Sequence, residues 1–296
     1  MTTPRFGQLV TAMVTPFDDD LDLDLDAAAT VARWLVDHGS DGLVVCGTTG
    51  ESPTLSDGEK LDLFRAVRGA VDVPVIAGTG TNDTAHSVHL TKEAVRLGVD
   101  AVLAVTPYYN RPSQAGIAGH FRAIAEAAGG TSVVLYDIEG RTGRPITTDT
   151  LLTLAGEVPN IVAVKDASGK IPQAAVRCAQ APAGFEVYSG NDGDTLPSLA
   201  VGGAGLVGVA SHWAGPQFQE MITAYGKGDV EGARAANARL LESCAFFTSD
   251  DAPSPLPTKA MLRTLGLPVG RARPPMGPDE PADLEDRARQ VYAALA

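Results

Sequence analysis

Eight short apolar runs punctuate this chain, and stretches with helical signals separate them. The runs cover residues 7–14, 42–46, 73–76, 101–105, 132–136, 161–165, 185–188 and 206–209. They are near-continuous rather than alternating, which is the pattern of strands buried on both faces in a parallel sheet. Parallel neighbours need a crossover, and the intervening helices supply it. Asp26 can cap the first helix and Gly39 can end it. Ser56-Asp-Gly-Glu59 has the form of a capping box. Pro74 fits only at the start of its strand, where no ladder N–H is needed. Eight such units predict an α/β fold, a closed (β/α)8 TIM barrel over residues 1–227. A doubly wound open sheet is the alternative, but no Gly-x-Gly-x-x-Gly follows the first strand. Beyond Gly228 the alternation stops. Residues 230–247, 258–265 and 281–295 read as helices between Pro-rich stretches, a C-terminal helical extension over residues 228–296.

A net charge of −13 argues against a nucleic-acid or anionic-membrane partner, either of which calls for a basic face. Small anionic substrates stay compatible, because a few placed cations set the field of a pocket. The three cysteines, Cys46, Cys178 and Cys244, form no disulfide or zinc pattern. With no signal-peptide design at residues 1–6 and no apolar run of about 20 residues, a cytoplasmic location is expected.

Chemistry in such a barrel belongs to the C-terminal ends of the strands. Of six lysines, only Lys165 ends a buried strand. A desolvated amine favours its neutral form, and a neutral amine can attack a ketone to form a Schiff base. The plainer reading is an ion pair, with Asp166 as the nearest candidate. Thr48, Thr49, Tyr108, Tyr109, Tyr136, Arg141, Gly190 and Val207 fall at or after strand ends too. Gly47-Thr-Thr-Gly50 can present consecutive N–H groups and two hydroxyls to a carboxylate, or be an ordinary turn. The Tyr136 phenol can relay protons, or be satisfied by backbone. Arg141 can clamp a second carboxylate, or make a surface ion pair. His86 and His89 lie three apart on a helix, too few for a metal site without further ligands.

Gly47-Thr-Thr-Gly-Glu51, Tyr108-Tyr-Asn-Arg-Pro112, Tyr136 with Arg141-Thr-Gly143, and Lys165-Asp-Ala-Ser together resemble the dihydrodipicolinate synthase/N-acetylneuraminate lyase family. The likeness holds in order and spacing over nearly the whole chain. It implies pyruvate held on Lys165 as an imine, with no external cofactor and no metal. It implies Tyr136, Thr49 and Tyr109 as a proton relay, with Tyr109 reaching a neighbouring subunit in what is usually a homotetramer. Thr48 and Thr49 match the turn for the pyruvate carboxylate, and Gly190 and Val207 match pocket-lining backbone. Thr48-Thr49 and Arg141 favour condensation of pyruvate with L-aspartate-4-semialdehyde, a small aldehyde, in lysine and diaminopimelate synthesis. A sugar-acid aldolase or a non-catalytic keto-acid binder is the alternative. Glu139 departs from the proline of many members, and a carboxylate there is placed to compete for Arg141.

Overall fold

The computed structural model describes residues 3–248 and 251–295. Met1, Thr2 and Ala296, at the ends of the two expected domains, and Ser249 and Asp250 lie outside them. The chain alternates β1 (Leu9–Ala12), α1 (Leu25–Asp37), β2 (Gly42–Val45), α2 (Asp57–Ala70), β3 (Val75–Gly78), α3 (Thr84–Arg96), β4 (Ala101–Val105) and α4 (Gln114–Ala128). It continues through β5 (Ser132–Asp137), α5 (Glu139–Thr142), α6 (Thr148–Glu157), β6 (Ile161–Asp166), α7 (Ile171–Gln180), β7 (Glu186–Ser189), α8 (Thr195–Ala200) and β8 (Gly205–Gly208). Four more helices follow: α9 (Ser211–Gly226), α10 (Val230–Phe246), α11 (Leu256–Thr264) and α12 (Leu284–Ala293). The strands are parallel and close into a barrel in the order β1 to β8, as the alternation predicts. No helix of the described residues is long and apolar enough to cross a membrane.

The chain forms two compact units, Pro74–Val207 and the remainder, Met1–Val73 with Gly208–Ala296. In the first, β3 to β8 carry a ladder whose apolar side chains are almost all buried. Pro74 stands just outside β3, where the missing N–H costs nothing. In the second unit β1 pairs with β2, and α9 packs on β1 and α1. There α10 packs along α9, and α12 packs on α11. Trp213 of α9 donates its indole N–H to Ser243 of α10 at 3.0 Å and sits edge-on to Phe246. One buried aromatic with its polar atom satisfied therefore fastens the extension's first helix.

Local signals set most element ends. Ser56 and Glu59 form both halves of the capping box. Asp83, Ser113 and Thr147 accept backbone N–H groups at the starts of α3, α4 and α6. The cap of α1 is Asp24 rather than Asp26. Asp24 has the extended backbone a cap needs and accepts from Ala27 N–H at 2.8 Å, while Asp26 lies inside the first turn, where its charge favours the helix dipole. Helix α9 runs from Ser211 as two helical segments joined across a kink at Ala214 that accommodates Pro216.

His212 is fully buried in the second unit. Val14 N–H donates to its Nε2 at 3.2 Å, so Nδ1 carries the hydrogen donated to the Val209 carbonyl at 2.7 Å. Burial lowers its pKa from 6.5 to about 4, against the bond to Val209. The folded pKa thus lies below the unfolded one, and the contribution is fully present above pH 6.5. As the pH falls toward 4 the unfolded chain takes up a proton that folded His212 refuses. Stability should therefore drop by up to about 3 kcal/mol across this window, from this group alone. Urea unfolding at stepped pH should show a shallower loss over that window in His212→Asn than in the parent chain.

Candidate active site

Lys165 is the penultimate residue of β6 and is only 5% exposed. Ladder register sets it beside Tyr136 of β5 on one side and Tyr188 of β7 on the other. Residues opposite one another in register share a face of the sheet. The Lys165 ammonium accordingly lies 4.5 Å from the centroid of the Tyr136 ring, itself 4% exposed. Lys165 makes no ion pair among the described residues. Asp166, the candidate partner under the plainer ion-pair reading, is turned to the opposite face and bound to Arg177.

Its partner is Arg177 of α7, a side chain that sequence reading did not single out. Arg177 is completely buried. Its guanidinium reaches Asp166 at 2.6 Å and Asp137 at 2.8 Å, and it also donates to the Ile146 carbonyl. Asp137 follows Tyr136, and Asp166 follows Lys165, and the two aspartates are themselves in register. Because side chains alternate along a strand, one cation behind the sheet holds the ends of the two strands that present Lys165 and Tyr136 in front of it. The remaining carboxylate oxygens are satisfied by the N–H groups of Ile146 and Ser168. Burial pushes the Asp137 carboxyl up, in spite of Arg177. In sequence the only hint was an arginine on the amphipathic helix that follows β6.

The segment after β5 forms the short helix α5. Gly143 ends it at φ 72, which only glycine adopts freely. Arg141 is exposed on α5 and makes no ion pair among the described residues. The expected competition from Glu139 is absent, because Glu139 binds Lys170 at 2.7 Å. Lys170, the residue before α7, is one loop away and draws the carboxylate off Arg141.

After β4, Tyr109 and Arg111 hold φ values of 70 and 49. Non-glycine residues in this region cost about 1–3 kcal/mol each and persist where their surroundings over-determine them. Tyr109 is nonetheless 90% exposed, whereas Tyr108 is half-buried. The loop is pinned by Asn110, which donates to the Asn82 carbonyl at 2.8 Å. Gly190 follows β7, donates to the Asp166 carbonyl at 2.7 Å, and would set a Cβ 2.6 Å from that of Ala167, so no side chain fits. Val207 is buried in β8.

In the other unit, β2 runs into Cys46, Gly47, Thr48, Thr49, Gly50 and Glu51. Cys46 at φ 56 and Glu51 at φ 54 bracket the turn. Burial pushes the Cys46 thiol up, so it stays an inert thiol. Thr48 O accepts from Glu51 N–H at 3.1 Å, and Gly50 O accepts from the Thr15 hydroxyl at 2.6 Å. Among the described residues no acceptor takes the N–H of Thr48 or Thr49. The turn thus offers a pair of unspent donors, the makings of a carboxylate nest. His86 and His89 lie on α3, and no group of three or more His, Cys, Asp or Glu among the described residues is arranged to hold a metal ion.

Arg177→Met leaves two buried carboxylates facing each other without their cation. The expected loss is about 3–5 kcal/mol, read by denaturant unfolding. Neutralising all three, with Asp137→Asn and Asp166→Asn added, should restore most of it. A full loss in the triple variant would show that the triad is not the cause.

Known proteins resemble this chain in both sequence and architecture. The Dihydrodipicolinate synthetase family profile matches residues 5–294. The 4-hydroxy-tetrahydrodipicolinate synthase of Moorella thermoacetica is 53% identical over 276 residues, 92% of each chain. Among solved structures, a dihydrodipicolinate synthase of Bacillus anthracis superposes with a TM-score of 0.93 at 44% identity, over 98% of this chain and 99% of that one. The enzyme of Cyanidioschyzon merolae, solved with lysine bound, gives 0.95 at 43% identity, over 99% of both. A barrel with Lys165 at the end of β6 and the Thr48–Thr49 turn after β2, matched over nearly its whole length by these relatives, belongs to the dihydrodipicolinate synthetase family.

Proposed function

We propose that this chain is a Schiff-base-forming lyase that condenses pyruvate with L-aspartate-4-semialdehyde to 4-hydroxy-tetrahydrodipicolinate, in lysine and diaminopimelate biosynthesis. The observation that carries the reading is Lys165, a buried strand-end amine with no carboxylate partner among the described residues, against the Tyr136 ring. Lys165 attacks the pyruvate ketone and expels water to give an imine. Loss of a methyl proton turns the imine into an enamine, which adds to the aldehyde. The adduct's own amine then closes the ring and frees Lys165. The imine supplies the electron sink, so no external cofactor is needed.

Tyr136 is the acid–base group nearest the imine, with Thr49 and Tyr109 completing the relay. Thr48 and Thr49 hold the pyruvate carboxylate with their unspent N–H groups and hydroxyls. Gly190 and Val207 shape the pocket, the first because no side chain fits there. Arg141 clamps the carboxylate of the aldehyde, a role favoured by its freedom from Glu139. Tyr109 serves a neighbouring subunit in a homotetramer. A strained, almost fully exposed tyrosine is hard to explain within one chain and is accounted for by a partner. Residues 1–227 form the catalytic barrel and residues 228–296 the helical domain of this cytoplasmic enzyme.

Borohydride reduction in the presence of pyruvate should add the mass of reduced pyruvate to Lys165, as read by peptide mapping. Lys165→Ala should lose both trapping and turnover, and Lys165→Arg should fail as well, because a guanidinium stays protonated. Label on Lys170 instead would overturn the assignment.

Arg141→Ala should spare the trapping and damage kcat/KM for the aldehyde, by about 2–5 kcal/mol of lost transition-state binding. Unchanged kinetics with aspartate semialdehyde would place the arginine outside the second-substrate site.

A further inference from the structure

Lys259 is among the largest side chains that the fold buries completely, and it lies on α11, in the C-terminal part of the chain. No step of the proposed reaction uses it. Its ammonium is 2.7 Å from the Glu51 carboxylate, with both side chains at most 1% exposed. It donates to the Arg271 carbonyl at 2.9 Å and sits 4.2 Å from the centroid of the Phe17 ring. The Arg273 guanidinium lies at the same distance from that ring. Arg273 also gives its backbone N–H to the second oxygen of Glu51, at 2.8 Å. Its side chain donates to the carbonyls of Leu21 and Thr54 and to the Glu59 carboxylate.

Two of these contacts, from the Lys259 ammonium and the Arg273 N–H, meet on Glu51, the residue that closes the Thr48–Thr49 turn. Glu51 keeps a left-handed backbone without being glycine, and its N–H is the donor to Thr48 O. Such a conformation lasts only where its surroundings enforce it. The enforcement here comes from the side chain, since Lys259 and the Arg273 N–H take one carboxylate oxygen each. Burial lowers the pKa of Lys259 to about 8, with Glu51 opposing the shift. The fold thus tolerates a costly buried cation at this spot.

We propose that Glu51, gripped by Lys259 and Arg273, is a positioning residue that aims the Thr48 and Thr49 donors at the pyruvate carboxylate, so that α11 tunes affinity for the first substrate. The inference rests on the assignment of that turn to pyruvate. Its mark is selectivity between the substrates, because a displaced turn weakens pyruvate and the relay step of Thr49, while Lys165 still forms the imine and the aldehyde still binds as before.

The test uses the full chain carrying Glu51→Gln with Lys259→Met, which removes both charges at similar volume and leaves neither buried alone. The expected result is a cooperatively folding enzyme whose pyruvate KM is about tenfold higher, with the aldehyde KM within about twofold of the parent and any fall in kcat carried by Thr49 of the same turn. Borohydride should still trap pyruvate on Lys165. Glu51→Asp keeps the charge but withdraws the carboxylate from Lys259, and should show the same split. It decides the matter if the double variant does not fold. A parental pyruvate KM in a folded variant overturns the proposal. So does an equal loss for both substrates, which would mean general loosening. Failure of the parent chain to trap pyruvate would instead overturn the lyase reading itself.

Discussion

Three buried charges behind the barrel wall govern what happens in front of it. Arg177 bridges Asp137 and Asp166, and each aspartate directly follows a residue assigned to the chemistry. Two carboxylates in register on neighbouring strands repel each other, and the buried cation converts that repulsion into a clamp. Such a triad adds little net stability, since desolvation offsets much of the attraction. Its effect lies in geometry. With the carboxylate oxygens spent on Arg177, Ile146 and Ser168, slippage of β5 against β6 would strand a buried charge. The spacing of Lys165 from the Tyr136 ring is therefore tied to a helix residue that touches neither.

The Thr48–Thr49 turn solves a different problem by a related means. The carboxylate role proposed for it needs donors left unspent in the folded chain, so ordinary turn hydrogen bonds cannot hold them. The backbone is instead bracketed by Cys46 and Glu51 in left-handed conformations, and its carbonyls are the groups that are tied down. Strain of this kind needs anchors outside the turn, and Glu51 has them in α11 and the segment after it. This gives the C-terminal helices work beyond covering apolar surface.

Elements built by local rules could be read from the sequence. Buried parallel strands announce themselves as β-branched apolar runs, and the Ser56–Glu59 capping box is a short-range pattern with one structural outcome. Lys165 stood out because a lysine that ends such a run has few ordinary explanations. Arg177 did not, because an arginine on an amphipathic helix normally faces water, and only the fold brings two aspartates beneath it. Glu139 was misjudged for the same reason. Arg141 is its neighbour along the chain, but Lys170, across a loop, is its neighbour in space. The cap of α1 depended on a backbone angle that distinguishes Asp24 from Asp26 and that composition does not encode.

Charge pairing also explains how a chain of net charge −13 can serve anionic substrates. Solution charges are screened beyond roughly 8 Å at physiological ionic strength, so an arriving carboxylate responds to the cations near it and hardly to the total. Lys165 and Arg141 are each within two residues of a carboxylate, Asp166 and Glu139, that would ordinarily neutralise them. In both cases a second cation removes the competitor: Arg177 takes Asp166, and Lys170 takes Glu139. Both replacement cations come from the segment that begins α7 and runs through it. The start and the body of α7 thus leave Lys165 and Arg141 without carboxylate partners among the described residues, which is what the roles proposed for them require.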